Sequence, residues 1–331
     1  MVTSRHLKII FLFILLFSIS GLHAQTTITG SVTDSSNNSI PFATVYLSNT
    51  TIGTTANYDG IYTLTIPRDG EYDLVTSCVG FTTNIKTFHA EGKPQTLNTR
   101  LKANIILIDE VTVAAKDKNR VKSYGQFFRL FIGESLFAQS CRILNMEDLR
   151  LYHDVQDNIV KGYSTNPLRI ENKALGYLIT YDLTDFSYNQ QSKILKFSGS
   201  QYFQPLTGTS KKIDKWENNR LKAYYGSKMH FFRALCADSL NGENFNIYEC
   251  SINAETDEYS IIKPLQVKDI RMSSDKNSST YLYTKPILVR YIEKLAALPT
   301  GFYGFQPEEF KSTMIFSKPL KVYHNGRSAD P

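Results

Sequence analysis

The chain has 331 residues, a length typical of about two globular domains. Hydrophobic residues make up 42% of it, and its net charge is +6 at pH 7. The charge is −3 over residues 25–115 and +7 over residues 116–331, without a dense Lys/Arg block, so a solvated surface is the default interpretation and a polyanion such as lipopolysaccharide or an acidic glycan is the alternative. The four cysteines lack any C-x-x-C spacing, which argues against a redox or zinc site.

Residues 1–24 have the pattern of a secretory signal peptide. Arg5, His6 and Lys8 precede an apolar run over residues 9–19, and Ala24 supplies a small residue at the cleavage point. The run is too short for a mature transmembrane helix, and no cysteine follows it for a lipid anchor. The sequence therefore predicts an exported protein, periplasmic or associated with the outer membrane. The mature chain has no predicted transmembrane span, and export argues against nucleic acid as its partner.

Residues 28–67 contain three strand-like runs separated by turn residues. Two of the runs alternate so that one face is apolar. These faces carry Ala43, Val45 and Leu47 in the first run and Tyr62, Leu64 and Ile66 in the second. Asn57, Asp59 and Gly60 predict a tight hairpin turn, because Asp-Gly readily adopts positive φ. Calcium at Asn57 and Asp59 is the less favoured alternative, since it needs six or more oxygen ligands.

The strand pattern continues after residue 67. Further runs lie at residues 72–79, 81–88, 96–101 and 105–113, and glycines or a Gly-Lys-Pro cluster separate them. Residues 25–115 therefore contain seven or eight short strands and no helical period. This spacing predicts a β-sandwich.

The N-terminal pattern resembles the carboxypeptidase-regulatory-like domain, a transthyretin-like Greek-key β-sandwich. The matching residues are Gly30, Val32, Asp34, Pro41, Ala43, Val45, Leu47, Gly53, Thr54, Asp59, Gly60, Tyr62, Leu64 and Pro67. In metallocarboxypeptidases this module lies beside the catalytic domain and carries no catalytic residue. In Bacteroidota-type envelopes it precedes the plug of TonB-dependent receptors, where a stretch like residues 107–113 leads into the receptor. The resemblance implies an envelope protein and makes a TonB-dependent receptor a candidate partner, although too few residues follow for a receptor barrel.

A charged linker at residues 116–122 separates the sandwich from a second domain, residues 123–331. Aromatic spacings predict a helix or a helix pair over residues 127–137, and residues 211–237 are the clearest helical segment. Strands are predicted at residues 149–154, 159–163, 177–183, 194–203, 245–250, 281–283 and 313–323. The whole chain is thus mainly β, with an α+β second domain and a mostly antiparallel sheet. No element follows the last apolar run, which predicts a truncated domain.

One constellation outside the sandwich combines aromatic and cationic side chains. Trp216, Arg220 and Tyr224 share a helix face, Gly226-Ser227 breaks the helix, and His230 and Arg233 follow on the next one. They predict a cationic, aromatic-lined notch for a ligand or a partner. The alternative is that the aromatic rings are core residues and the arginines satisfy helix ends or carboxylates.

Two segments near this constellation resemble uncharacterised envelope proteins with the same two-domain layout. They are W-x-x-N-R-x-x-A-Y-x-G-S-x-x-H-F-x-R-A-L, from Trp216, and residues 167–177. The resemblance implies an architecture and no reaction. Cys236 and Cys250 are the best candidates for a disulfide, although four cysteines allow three pairings.

The mature chain carries no catalytic signature. None of its histidines has Glu three residues later, and neither H-E-x-x-H nor G-x-S-x-G occurs. No catalytic residue, metal site or cofactor is predicted. The leading hypothesis is a non-enzymatic exported envelope protein, whose sandwich is a docking or binding module and whose second domain binds an envelope protein or a glycan. The alternatives are an accessory of a TonB-dependent uptake system and a peptidase or glycan hydrolase with dispersed catalytic residues.

Overall fold

The computed structural model describes residues 25–104, 120–154, 156–253, 258–275, 277–292 and 309–328. The predicted signal peptide, the strand predicted at residues 105–113, most of the predicted linker and the last three residues of the chain lie outside these ranges. In the described part of the chain, no helix is long and apolar enough to cross a membrane.

The first ten strands fall within residues 25–104. Their bounds are β1 Thr26–Thr33, β2 Thr44–Leu47, β3 Gly53–Thr55, β4 Ile61–Ile66, β5 Gly70–Ser77, β6 Phe81–Thr82, β7 Asn84–Ala90, β8 Gln95–Thr96, β9 Thr99–Arg100 and β10 Lys102–Ala103. One four-stranded sheet has the order β4-β1-β8, with β9 also on β1, and the other has the order β3-β2-β5-β7. β6 and β10 form a separate antiparallel pair.

The two four-stranded sheets share one apolar core, which confirms the predicted β-sandwich. The buried core takes residues from both sheets, including Ile28 and Leu64 from one and Val45 and Leu74 from the other. The strand period explains this core, because alternate side chains of each strand point to the same face.

The hairpin turn before β4 also follows the sequence. The Oδ1 atom of Asn57 accepts the backbone N–H of Asp59 at 3.0 Å and that of Ile61 at 2.8 Å. Gly60 has φ +74°, the left-handed conformation for which glycine was predicted here. The three turn residues are therefore confirmed as a structural turn.

The next elements form a six-stranded sheet with one helix. They are α1 Arg120–Ile132, β11 Cys141–Ile143, β12 Leu149–Asp154, β13 Ile159–Ser164, β14 Leu168–Asn172, β15 Tyr177–Asn189 and β16 Leu195–Pro205. The strand order is β11-β14-β15-β13-β12, and β16 pairs with β15. β12 has the predicted bounds, whereas β15 extends six residues beyond its predicted end at residue 183.

The six-stranded sheet is covered on one face by α1. Phe131 of α1 packs its ring against Tyr181 and Phe197, at centroid distances of 4.9 and 5.4 Å. The opposite face meets the sandwich, because Tyr202 of β16 stacks on Tyr46 of β2 at 5.2 Å. The hydroxyl groups of Tyr46 and Ser200 are also within hydrogen-bonding distance, at 3.0 Å.

The remaining elements contain two longer helices and two antiparallel sheets. They are α2 Ser210–Tyr224, α3 Lys228–Cys236, β17 Phe245–Ile252, β18 Tyr259–Leu265, the short α4 Val267–Ile270, β19 Arg271–Ser274, β20 Ser278–Tyr281, β21 Ile287–Ile292, β22 Glu309–Met314 and β23 Leu320–Tyr323. The sheet orders are β18-β17-β21-β22 and β19-β20-β23. The predicted mainly β class with antiparallel sheets is therefore confirmed.

The chain divides into two compact units. The first contains the described residues up to Gly133, together with Arg142–Glu171 and Tyr177–Pro205. The second contains Glu134–Cys141, Asn172–Gly176 and the described residues from Leu206 onward. The first unit thus joins the sandwich to most of the six-stranded sheet. The domain boundaries at residues 115 and 123 stay a prediction.

Of two expectations about residues 211–250, the helix break agrees with the structure and the disulfide is wrong. The helical segment is two helices, which end and begin on either side of Gly226-Ser227, where the sequence indicated a break. Cys236 and Cys250 are free thiols and do not form the suggested disulfide. Their Sγ atoms lie near different carbonyl oxygens, that of Val322 at 3.5 Å for Cys236 and that of Pro286 at 3.6 Å for Cys250.

Candidate binding cleft

A polar cleft lies in the first unit, where the sandwich meets the six-stranded sheet. Its sandwich wall comes from the β5–β6 region and Asn104, and its sheet wall comes from residues 163–167 and 182–184. Its volume is about 210 Å³, the liquid volume of about seven water molecules. We call it the sandwich–sheet cleft. It has room for one small ligand unit.

Several polar side chains of the cleft hold its walls in place. Ser164 Oγ accepts the backbone N–H of Leu183 at 3.2 Å and lies 3.3 Å from the carbonyl oxygen of the same residue. The hydroxyl groups of Thr184 and Ser198 are 3.0 Å apart. Asn166 Nδ2 donates to Asp148 Oδ1 at 2.7 Å. These hydrogen bonds fix the β13–β15 edge of the cleft.

The carboxylate of Asp182 makes no such hydrogen bond within the described part of the chain. The residue lines the cleft and is half-buried. In the antiparallel register it lies opposite Ser200, so both side chains are on the face that meets the sandwich. Within the described ranges, no hydrogen bond or ion pair reaches its carboxylate. An ionised carboxylate is an acceptor with two oxygens, so Asp182 can accept hydrogen bonds from a ligand.

The rest of the cleft is neutral. Its described lining residues include no lysine, arginine, histidine or glutamate. Burial raises the pKa of the Cys78 thiol above its usual value, which keeps it protonated at neutral pH. Tyr163, which is 40% exposed, adds an aromatic ring with a polar tip. The cleft therefore combines one negative charge with hydroxyl, amide and aromatic groups.

The notch predicted around α2 and α3 is different in kind. Trp216 Nε1 donates to the carbonyl oxygen of Lys173 at 3.0 Å. Arg220 donates to the carbonyl oxygens of Leu175, at 2.8 Å, and Gly176, at 3.0 Å. Both side chains of α2 therefore bind the backbone of the turn after β14.

The other members of the predicted notch form a second group. His230 is 3% exposed, and its Nδ1 accepts the N–H of Gly226 at 3.1 Å. Its Nε2 therefore carries the proton and donates to Glu243 Oε2 at 3.1 Å. The ring packs on Tyr224 at 4.9 Å, and the guanidinium of Arg233 lies 5.5 Å from the centroid of the same tyrosine.

These contacts bring Tyr224, His230 and Arg233 together and place Trp216 and Arg220 against residues 173–176. Ser227 caps α3, since its Oγ accepts the N–H of His230 at 3.2 Å. The contacts support the alternative interpretation, in which these side chains stabilise the fold. Their binding of a ligand or a partner stays a prediction.

No sequence pattern predicted the sandwich–sheet cleft. Its residues come from four separated parts of the chain, residues 77–83, Asn104, residues 163–167 and residues 182–184, and none of these carries a recognisable motif. Among the described residues, no three His, Cys, Asp or Glu side chains are grouped to hold a metal ion.

Comparisons with known proteins find a family model that matches the N-terminal part of the chain. Residues 28–113, about a quarter of the chain, match the family model of the CarboxypepD_reg-like domain, which confirms the resemblance seen in the sequence. No curated protein matches. One solved structure, a "putative carbohydrate binding protein" from Bacteroides uniformis, is 8% identical with a TM-score of 0.20, over 88% of this chain and 99% of that chain. A TM-score this low carries no argument about fold or ligand.

Proposed function

We propose that this chain is a non-enzymatic binding protein of a bacterial envelope and that it holds a small polar ligand in the sandwich–sheet cleft. The observation that carries the proposal is the carboxylate of Asp182, half-buried in a cleft and without a hydrogen bond or ion pair in the described part of the chain. A polar group taken from water costs free energy unless it is paired, so a ligand that donates to it gains affinity.

Two further features support the proposal. The signal-peptide pattern of residues 1–24 predicts that the chain is exported. The carboxypeptidase-regulatory-like domain, matched at residues 28–113, supplies one wall of the cleft. The cleft volume is below the roughly 300–1,000 Å³ of sites for drug-sized ligands. A single polar unit or the end of a longer chain therefore fits better than a large apolar molecule.

The test is to fill the cleft. Thr82 lines it from an exposed position, so Thr82→Trp places an indole in the cleft without changing the core. Lys86→Trp is the matched control, because Lys86 is exposed on β7 and does not line the cleft. Calorimetric titration of the full chain with soluble peptidoglycan fragments, lipopolysaccharide and neutral oligosaccharides measures binding.

We expect at least one of these probes to bind the unmodified protein and the Lys86→Trp variant equally well. The same probe should not bind the Thr82→Trp variant. Absence of binding by the whole panel, or binding that Thr82→Trp leaves intact, contradicts the proposed site. Release of a cleaved product from any probe contradicts a non-enzymatic role and favours the hydrolase. The accessory role in TonB-dependent uptake stays a prediction, because residues 105–113, on which it depends, lie outside the described ranges.

A further inference from the structure

Resting on the proposed function, we infer that the ligand of the sandwich–sheet cleft is a neutral sugar ring. Its hydroxyl groups donate hydrogen bonds to the Asp182 carboxylate, and its C–H face packs against the ring of Tyr163. Both residues line the cleft, and no hydrogen bond or ion pair of either side chain forms within the described part of the chain.

The charges of the cleft favour a neutral ligand over an acidic one. Among the described residues that line the cleft, Asp182 is the only carboxylate, and no basic side chain accompanies it. An acidic sugar or a phosphate would meet an uncompensated negative charge. Two neighbouring hydroxyl groups of a sugar instead supply two donors for the two carboxylate oxygens, without adding charge.

The groups around Asp182 suit the rest of a sugar. The register places Asp182 on the sheet face that meets the sandwich, opposite Ser200. Thr82, in the exposed β6 strand of the sandwich wall, and Thr184, beside Asp182 on β15, add hydroxyl groups that both donate and accept. Tyr163 adds an apolar ring face, and an aromatic side chain with a polar tip suits ligands that are partly apolar and partly wet.

The experiment compares sugars that differ in charge. The ¹⁵N-labelled full chain is titrated with glucose, galactose and mannose, and then with glucosamine and glucuronic acid, while the amide signals of Gly80 and Thr184 report on the cleft. Asp182→Asn removes the charge and keeps the shape. Asp185→Asn is the matched control, because Asp185 is exposed on the same strand and does not line the cleft.

We expect a neutral sugar to shift the cleft signals with an affinity that salt does not change, and glucuronic acid to bind more weakly. Asp182→Asn should lower the affinity for the neutral sugar by about tenfold, as for a lost hydrogen bond to a charged group. Asp185→Asn should leave the affinity unchanged.

The remaining outcomes overturn the inference. Tighter, salt-dependent binding of glucosamine makes the cleft a cation site. A ligand that Thr82→Trp blocks but that is not a sugar overturns the inference and leaves the proposed function standing. If no sugar shifts the cleft signals and no probe is sensitive to Thr82→Trp, the inference and the proposed function fail together.

Discussion

Gly176 is the position where one added methyl group should test the packing of the second unit. It has φ +66° and ends the turn that α2 binds. A Cβ atom built there would lie 2.2 Å from Cδ2 of Trp216. The indole is buried and holds the carbonyl oxygen of Lys173 through Nε1, so it cannot retreat without losing that hydrogen bond.

The expected cost of Gly176→Ala has two parts. A left-handed conformation costs a non-glycine residue about 1–2 kcal/mol. The steric overlap with a buried ring adds about 1–3 kcal/mol, as for other overpacked cores. Gly133→Ala isolates the first part, because Gly133 has φ +93° and nothing lies within 4 Å of its Cβ position. We therefore expect Gly176→Ala to cost clearly more than Gly133→Ala.

Trp216 also provides the assay, since it is the single tryptophan of the chain. Its fluorescence during urea unfolding reports the free energy of unfolding of the second unit, which also contains Gly176, and circular dichroism follows Gly133→Ala in the first unit. In a Trp216→Leu background, followed by circular dichroism, Gly176→Ala should cost only the left-handed part, because the ring is gone. Equal costs of Gly176→Ala and Gly133→Ala, or an unchanged cost in the Trp216→Leu background, would refute the steric argument.

Two other predictions concern the sandwich core and a buried carboxylate. Leu64→Ala should cost about 2–4 kcal/mol of unfolding free energy, because Leu64 is 4% exposed. Ile61 is 52% exposed on the same strand, so Ile61→Ala should change the unfolding free energy by no more than about 0.5 kcal/mol. Equal urea midpoints for the two variants would contradict the assignment of Leu64 to the core. Hydrogen bonds from Lys285 and then Tyr283 lower the pKa of Glu249 from 4.5 to about 2. Its ionised form therefore stabilises the fold above about pH 4.5, and this contribution is lost as the pH falls toward 2. Glu249→Gln should have a flatter stability curve over that range in urea titrations, and identical curves for both proteins would exclude the linkage.

Much of the sandwich could be predicted because buried and exposed side chains alternate along its strands. Ala43, Val45 and Leu47 are all buried in the predicted core, and so are Leu64 and Ile66. The same alternation did not predict the surroundings of Tyr46, which lies on the opposite face of β2. The pattern left open whether that face meets solvent or a second layer, since alternation shows which side chains share a face but not what covers it.

The layer that covers Tyr46 is the six-stranded sheet, which comes much later in the chain. Tyr46 packs with Val75 and Tyr202, and its hydroxyl lies 3.0 Å from that of Ser200. Its burial raises its pKa to about 12. These contacts join β2 to β16, more than 150 residues later in the chain. No local pattern encodes a pairing over that separation, so the composition of the sequence could not predict it.

The strands after residue 123 were predicted less evenly for a related reason. β12 and β13 were predicted, whereas β11, β14, β18, β19 and β21 were missed. β18 shows the cause, because five of its seven residues are exposed and it has no buried face to create a period. Its strand conformation comes from pairing with β17, which is a tertiary contact.

The constellation on α2 was found in the sequence, and its spacing explains the contacts that it makes. Trp216, Asn219 and Arg220 are three and four residues apart, so they share a helix face. They donate to the carbonyl oxygens of residues 173–176, which belong to the other segment that resembles the same envelope proteins. Each segment thus satisfies the polar groups of the other, and folding alone accounts for the pair. A ligand needs polar groups that the fold has left available, and in the described part of the chain Asp182 is the carboxylate that meets this condition in a cleft.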